Sequence, residues 1–243
     1  MKKVLFLLLV IGLSACQHKV EIKNTYFANG KKSSEWTEVN GIKQGQLVTF
    51  YENGRVHEVT NFIDGLMQGA HSWWYKNGKI GALDQYDKDF VDGQQVMWDS
   101  NENKLSEWCF RAGKFDGLCR SWFKSGKLEI EDNWVMGKRN GTRKEWYENG
   151  QMKSINTFKE DSLVGVNKFW YENGELAKIL PFNGVGLMHG MATYFYRDGK
   201  IQYKLSFVNG KQDGECLQYD SISGKLLKRT VYKNGVLVGD EKK

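Results

Sequence analysis

The sequence predicts an all-β fold, an elongated antiparallel β-meander of about nine 24-residue hairpin repeats. Three observations predict it. Two series of glycines recur at steps of 24 or 25 residues. Aromatic residues recur in register with those glycines. The chain also holds 27 glycines and one proline. That excludes helical repeats, because each interior glycine costs a helix about 1 kcal/mol against alanine, and it excludes proline-rich helices.

The first element differs from the rest. Lys2 and Lys3 precede the apolar run "VLFLLLVIGLSA", which has signal-peptide length and is too short to span a membrane. It ends in Leu13-Ser14-Ala15-Cys16, which resembles the lipobox of bacterial lipoproteins. The resemblance implies a signal peptide over 1–15, cleavage before Cys16, diacylation of the Cys16 thiol and acylation of the new N-terminus. Three acyl chains anchor firmly where one binds only marginally. Gln17 rather than aspartate follows the cysteine. This implies outer-membrane anchoring if the host has two membranes. Residues 16–24 are then the lipidated N-terminus and tether, and 25–243 the repeat array.

Each unit of the array carries two turn signals. The first is "YENG" and its near-copies, closing on Gly30, Gly54, Gly78, Gly126, Gly150, Gly174, Gly199 and Gly224. One step of 48 residues hides a degenerate copy, "SNENK", with Asn103 in the glycine's place. Asn-Gly and Asp-Gly favour positive φ, so these are read as tight hairpin turns. The second signal is G-x-x-x-G, as in "GIKQG" at 41–45 and "GKQDG" at 210–214, read as a longer hairpin loop. Its closing glycines are Gly45, Gly69, Gly93, Gly117, Gly141, Gly165, Gly190, Gly214 and Gly239.

Between turns lie strand-length segments with fixed aromatic positions. Five residues after the second-series glycines come Phe50, Trp74, Trp98, Trp122, Trp146, Trp170, Phe195 and Tyr219. Seven residues before them come Phe62, Tyr86, Phe110, Trp134, Phe158, Phe207 and Tyr232, with Phe182 displaced by one. Aromatics favour strands and pair across them. An aromatic ladder along one face follows, and twist should curl the sheet onto itself. Trp74, Trp98, Trp122, Trp146 and Trp170 form the candidate binding surface.

The unit F-x-x-G-x-x-x-G-x-x-x-x-W-Y-x-N-G resembles the MORN repeat, and within it the bacterial variant of YwqK-type antitoxin-like repeat proteins. The resemblance covers about nine tenths of the chain. It implies scaffold, protein-binding or lipid-contact roles. The pattern is broken at "SNENK" and at Asp89 and Asp161, where the first glycine of G-x-x-x-G is missing.

The remaining residues assemble no chemistry. Cys109 and Cys119 flank one loop and form a candidate disulfide pair, permitted in an exported compartment. Cys119 and Cys216 occupy one repeat position four units apart, roughly 40 Å by strand spacing, far beyond disulfide reach. His18, His57, His71 and His189 are scattered, so no metal site or cofactor is expected. His71 shares its repeat position with Leu47, Gln95, Cys119, Arg143, Asn167, Ala192 and Cys216, which reads as a variable surface site. No nucleophile motif occurs, and Glu52, Glu148 and Glu172 recur with the turn itself. Removing 1–15 takes Lys2 and Lys3 from the 35 Lys+Arg, leaving 33 against 29 acids, a mild and interspersed balance. A nucleic-acid partner would need a concentrated basic patch. The expectation is a membrane-anchored, non-catalytic module that binds a protein partner. An antitoxin or immunity protein is the alternative, and a glycan-active enzyme ranks below both.

Overall fold

The computed structural model describes residues 19–242. The signal-peptide segment, Cys16 and His18 lie outside the described residues. Twenty-two strand segments form one antiparallel sheet, with no helix among the described residues. Three pairs of segments are single strands broken by a bulge. Phe90–Val91 and Gly93–Trp98 both pair with Ile80–Asp87. Lys114–Phe115 and Gly117–Trp122 both pair with Lys104–Arg111. Lys138–Arg139 and Gly141–Trp146 both pair with Leu128–Val135.

The sheet is an open meander. Its first strand, Val20–Tyr26, pairs with Lys32–Val39, and its last, Val236–Lys242, with Leu226–Lys233. No ladder joins the two ends among the described residues, so the sheet does not close on itself as expected. The extensive contacts are all between strands adjacent in the ladder. The first strand also begins inside the segment read as a tether, because Val20 to Asn24 already pair with Val39 to Glu35.

The two turn types exchange the roles expected of them. In "YENG" the Gly54 amide donates to the Tyr51 carbonyl and the Tyr51 amide to the Arg55 carbonyl, each at 2.8 Å. This is a three-residue loop, a type I turn followed by left-handed Gly54 at φ 84°. Asn53 stays right-handed because its Oδ1 accepts the Arg55 amide at 3.0 Å, an Asx turn. The tight two-residue turns lie instead at the first glycine of G-x-x-x-G. Asn40 and Gly41 take φ 53° and 81°, as a type I′ turn requires. The second glycine of that motif sits in a bulge: Trp36 faces Leu47, while Thr37 faces Gln44.

The irregular units obey the same geometry. In "SNENK" it is Glu102, at φ 72°, that takes the glycine's place, and not Asn103. Asp89 and Asp161 adopt φ 70° and 66°. Their carboxylates accept the Met67 and Arg139 amides at 2.7 and 2.8 Å, which compensates for the side chain in a left-handed position. Phe182 pairs with Gly165 in the regular register. The extra residue lies after it, in a loop where the Asn183 amide donates to the Leu187 carbonyl at 2.8 Å.

One face of the sheet is sheltered. Thr60, His71, Asp84, Cys119, Asp132, Asn156, Asn167, Ala192, Cys216 and Thr230 are buried. Strand register places them in one row, with Thr60 opposite His71, His71 opposite Asp84, Cys119 opposite Asp132, and Cys216 opposite Thr230. The repeat position of His71 is therefore an interior site and not a variable surface one. Beside this row run the aromatics, each opposite a bulge glycine: Phe62 faces Gly45, Trp134 faces Gly117, and Tyr232 faces Gly214. A ring across from a glycine covers backbone that the glycine leaves bare. Where the sheltered strand needs room the chain supplies it. A Cβ on Gly81 would lie 2.3 Å from the Trp73 ring.

Candidate functional site

The "YENG" phrase does more than turn the chain. Its tyrosine hydroxyl donates to a strand-end carbonyl 23 or 24 residues on. Tyr51 bonds Trp74 O at 2.7 Å, Tyr75 bonds Trp98 O at 2.9 Å, and Tyr147 bonds Trp170 O at 2.8 Å. Tyr171 bonds Phe195 O at 2.7 Å and Tyr196 bonds Tyr219 O at 2.9 Å. The asparagine of the phrase repeats the act: Asn77, Asn149 and Asn173 donate to Ser100, Glu172 and Arg197 carbonyls at 2.8–2.9 Å. Each phrase thus clamps its own unit to the next. Phe27, Asp99 and Phe123 stand where the tyrosine should be and have no hydroxyl to give. The repeat spacing itself held this signal: a tyrosine and an asparagine recurring with the glycine.

The two edges of the sheet differ. The "YENG" edge is polar apart from Tyr26 and Ile222, which are 63% and 84% exposed. The type I′ edge carries large exposed apolar side chains at or beside the turns: Ile42, Ile63, Leu66, Phe90, Val135 and Met136. Val185, 75% exposed, and Val208 extend the series. Exposed Lys88, Arg111, Lys114, Lys138, Lys159 and Lys211 are interleaved with them. Apolar side chains here also lock neighbouring turns, since a Cβ on Gly65 would meet Ile42 at 3.2 Å and one on Gly113 would meet Phe90 at 3.1 Å.

The sheltered row contains two ionic clusters. His71 Nδ1 lies 2.8 Å from Asp84 Oδ2 and Nε2 lies 2.9 Å from Glu58 Oε1. The Asp84 hydrogen bond raises the His71 pKa; burial opposes this, and the Glu58 bond adds to it. Both ring nitrogens are occupied, so this imidazole has none left for a substrate proton. Asp132 accepts Arg139 Nε at 3.0 Å and Arg143 Nη1 at 2.5 Å, and Arg143 Nε reaches Glu145 at 2.8 Å. The His71 and Asp132 contacts run across strands and the Arg143–Glu145 contact along one, and Asp84 Oδ1 and Asp132 Oδ1 stay buried without a partner. Among the described residues no group of three His, Cys, Asp or Glu side chains is arranged to hold a metal ion.

The sequence-derived candidates fall as follows. Cys109 and Cys119 are free thiols. Beyond the bulge at Gly117 the register places Arg120 opposite Glu107 and Ser121 opposite Ser106. Cys119 therefore shares the sheltered face with Trp108, while Cys109 points to the other face, and the expected pairing is not met. Burial pushes the Cys119 and Cys216 thiols up, which suits structural residues and not nucleophiles. Trp74, Trp98, Trp122, Trp146 and Trp170 are all half-buried strand ends beside the clamps. Lys104 Nζ sits 5.2 Å from the Trp122 ring centroid.

Residues 115–135, 139–160, 163–183 and 188–209 match the family model described as MORN repeat variant. No curated protein matches the chain. Two solved structures share weak similarity. A crystal structure of TcdB2-TccC3-TEV has 10% identity and a TM-score of 0.23, over 91% of this chain and 14% of that one. TcdB2-TccC3 without its hypervariable C-terminal region has 9% identity and a TM-score of 0.22, over 91% and 14%. This chain thus spans about one seventh of either protein, and likeness at that level tells nothing of its role.

Proposed function

We propose that this chain, with its four MORN-variant segments, is a non-catalytic binding module held at the cell envelope by lipid on Cys16. Its partner is a protein that docks along the type I′ edge. The exposed apolar row from Ile42 to Val208, interleaved with charges of both signs, carries this reading. Exposed apolar side chains aligned along one edge and rimmed by charge mark interaction surfaces, and a row spread over many units suits a long, shallow interface. An immunity role is the special case in which the partner is a toxin.

The test has two arms. Val135→Asp and Val185→Asp should abolish co-purification of the partner from native membranes while the melting temperature stays within about 2 °C, as expected for exposed substitutions. Unchanged co-purification in both variants contradicts the edge. A screen of the purified chain against glycans, esters and phosphoesters should show no turnover. Turnover abolished by one Asp, Glu or His substitution in an intact fold contradicts the non-catalytic role.

A further inference from the structure

Two cavities lie at equivalent places on the "YENG" edge, where the repeat pattern breaks in the same way. Phe27, Phe50, Tyr51, Glu52 and His57 line one of about 770 Å³. Phe123, Trp146, Tyr147, Glu148 and Lys153 line another of about 330 Å³. Each residue of the first set is 96 residues before its counterpart in the second, four units of the array. In both, a phenylalanine replaces the clamping tyrosine. Phe27 cannot donate to the Phe50 carbonyl, nor Phe123 to the Trp146 carbonyl. The next unit's tyrosine, Tyr51 or Tyr147, still makes its own clamp.

From this geometry we propose that the two cavities are equivalent subsites for a neutral sugar ring of a glycan. The aromatic walls suit the C–H face of a pyranose, which is the apolar side of an otherwise polar molecule. The strand-end carbonyl, which elsewhere accepts a tyrosine hydroxyl at 2.7–2.9 Å, accepts a sugar hydroxyl instead. Polar groups ring both cavities, Asn29, Asn53, Lys31 and Glu52 at the first and Arg143, Lys153 and Glu145 at the second. They already bond within the chain, Lys31 to the Glu52 carbonyl and Arg143 and Lys153 to Glu145, so a sugar hydroxyl joins or exchanges with these bonds. Hydroxyls both donate and accept, so they use such a mixed rim fully. An anion is the poorer fit, because the second cavity is lined by three carboxylates, Glu129, Glu145 and Glu148, against two cations, Arg143 and Lys153. The first cavity falls in the range of small-molecule sites, roughly 300–1,000 Å³, and the second sits at its lower end. Eight strand spacings separate the two, about 40 Å along the sheet, so a long glycan chain engages both and gains avidity. This inference does not rest on the protein-docking reading, which concerns the opposite edge.

The test uses the purified full chain on an array of bacterial, plant and animal oligosaccharides. The best binder is then titrated with detection by saturation-transfer difference NMR. N-acetyltyrosinamide and inorganic phosphate serve as competing probes. Phe27→Tyr and Phe123→Tyr reinstate the hydroxyl that five other units carry, so both variants should fold and melt no lower than wild type. The double variant should bind the oligosaccharide at least tenfold more weakly, and each single variant should lose one of two sites. Three results overturn the proposal: no oligosaccharide bound on the array, unchanged affinity in the folded double variant, or saturation transfer to N-acetyltyrosinamide or phosphate alone. His57→Ala with Lys153→Ala, compared at a temperature where circular dichroism shows the variant folded, is the second check, and it too should weaken binding.

Discussion

Replacing Tyr147 by phenylalanine removes one oxygen and one hydrogen bond, the 2.8 Å contact to the Trp170 carbonyl, and leaves the ring in place. A neutral hydrogen bond contributes a net 0.5–1.5 kcal/mol, and a fully buried carbonyl left bare costs about 1–3 kcal/mol. Tyr147 and Trp170 are half-buried, so water partly replaces the lost donor. The expected loss is therefore about 1 kcal/mol, or roughly 2–4 °C in melting temperature for a chain of this size. The five clamps are at least two strand spacings apart, about 10 Å or more, and effects at such distances add to within a few tenths of a kcal/mol. Changing Tyr51, Tyr75, Tyr147, Tyr171 and Tyr196 together should cost about 5 kcal/mol, a large share of a typical domain's 5–15 kcal/mol. Urea denaturation of the single and fivefold variants, followed by tryptophan fluorescence, reads both quantities. A fivefold variant that unfolds at the wild-type midpoint would refute the clamp. So would a single variant that loses several kcal/mol, since one half-exposed hydroxyl cannot account for that.

Three further outcomes follow from the same geometry. The folded-state pKa of His71 is raised above its unfolded value, so its stabilisation is full below about pH 6.5 and fades as pH rises through the folded pKa; urea midpoints should fall across that window in wild type and stay flat in His71→Asn. Trp122→Ala should cost about 2 kcal/mol, below the 3–5 kcal/mol of a fully buried tryptophan, because the ring is only half covered; a loss above 4 kcal/mol by thermal denaturation would show that the strand ends are core. Cys16→Ser should move the protein out of the membrane fraction or leave it as uncleaved precursor, and wild-type fractionation and migration would refute lipid anchoring.

The period, the all-β class and the meander were legible because glycine is forced at fixed points of every unit. Turn chemistry was harder. Asn53-Gly54 and Asn40-Gly41 are the same dipeptide, yet one closes a three-residue loop and the other a type I′ turn. The tyrosine hydroxyl does not separate them, since Phe27 and Phe123 close the same three-residue loop, so the loop length follows from the register of the flanking strands, which no local propensity records. The sheltered row was misread for a related reason. Leu47, His71, Cys119, Arg143 and Asn167 differ at one repeat position because their interior partners differ: His71 bonds Asp84, Arg143 bonds Asp132, and Asn167 bonds the backbone of Thr157 and Val164. Variation along the chain therefore looked like exposure. The Cys109–Cys119 pairing failed at the turn: Ala112 and Gly113 make a loop of two residues, and an even loop puts two residues of even separation on opposite faces. The type I′ edge was invisible because its apolar residues fall beside turns, spread over units, and join into a row only once the strands are stacked.

The central claim is that one edge of the sheet receives a protein partner. A photo-crosslinking amino acid placed singly at Phe90, Val135 and Val185, and at Glu52, Lys124 and Ser221 on the opposite edge, tests it in intact cells. The account predicts a crosslinked protein band, of one identity by mass spectrometry, from the first three positions and none from the last three. Equal labelling from both edges, or labelling confined to Glu52, Lys124 and Ser221, would contradict it.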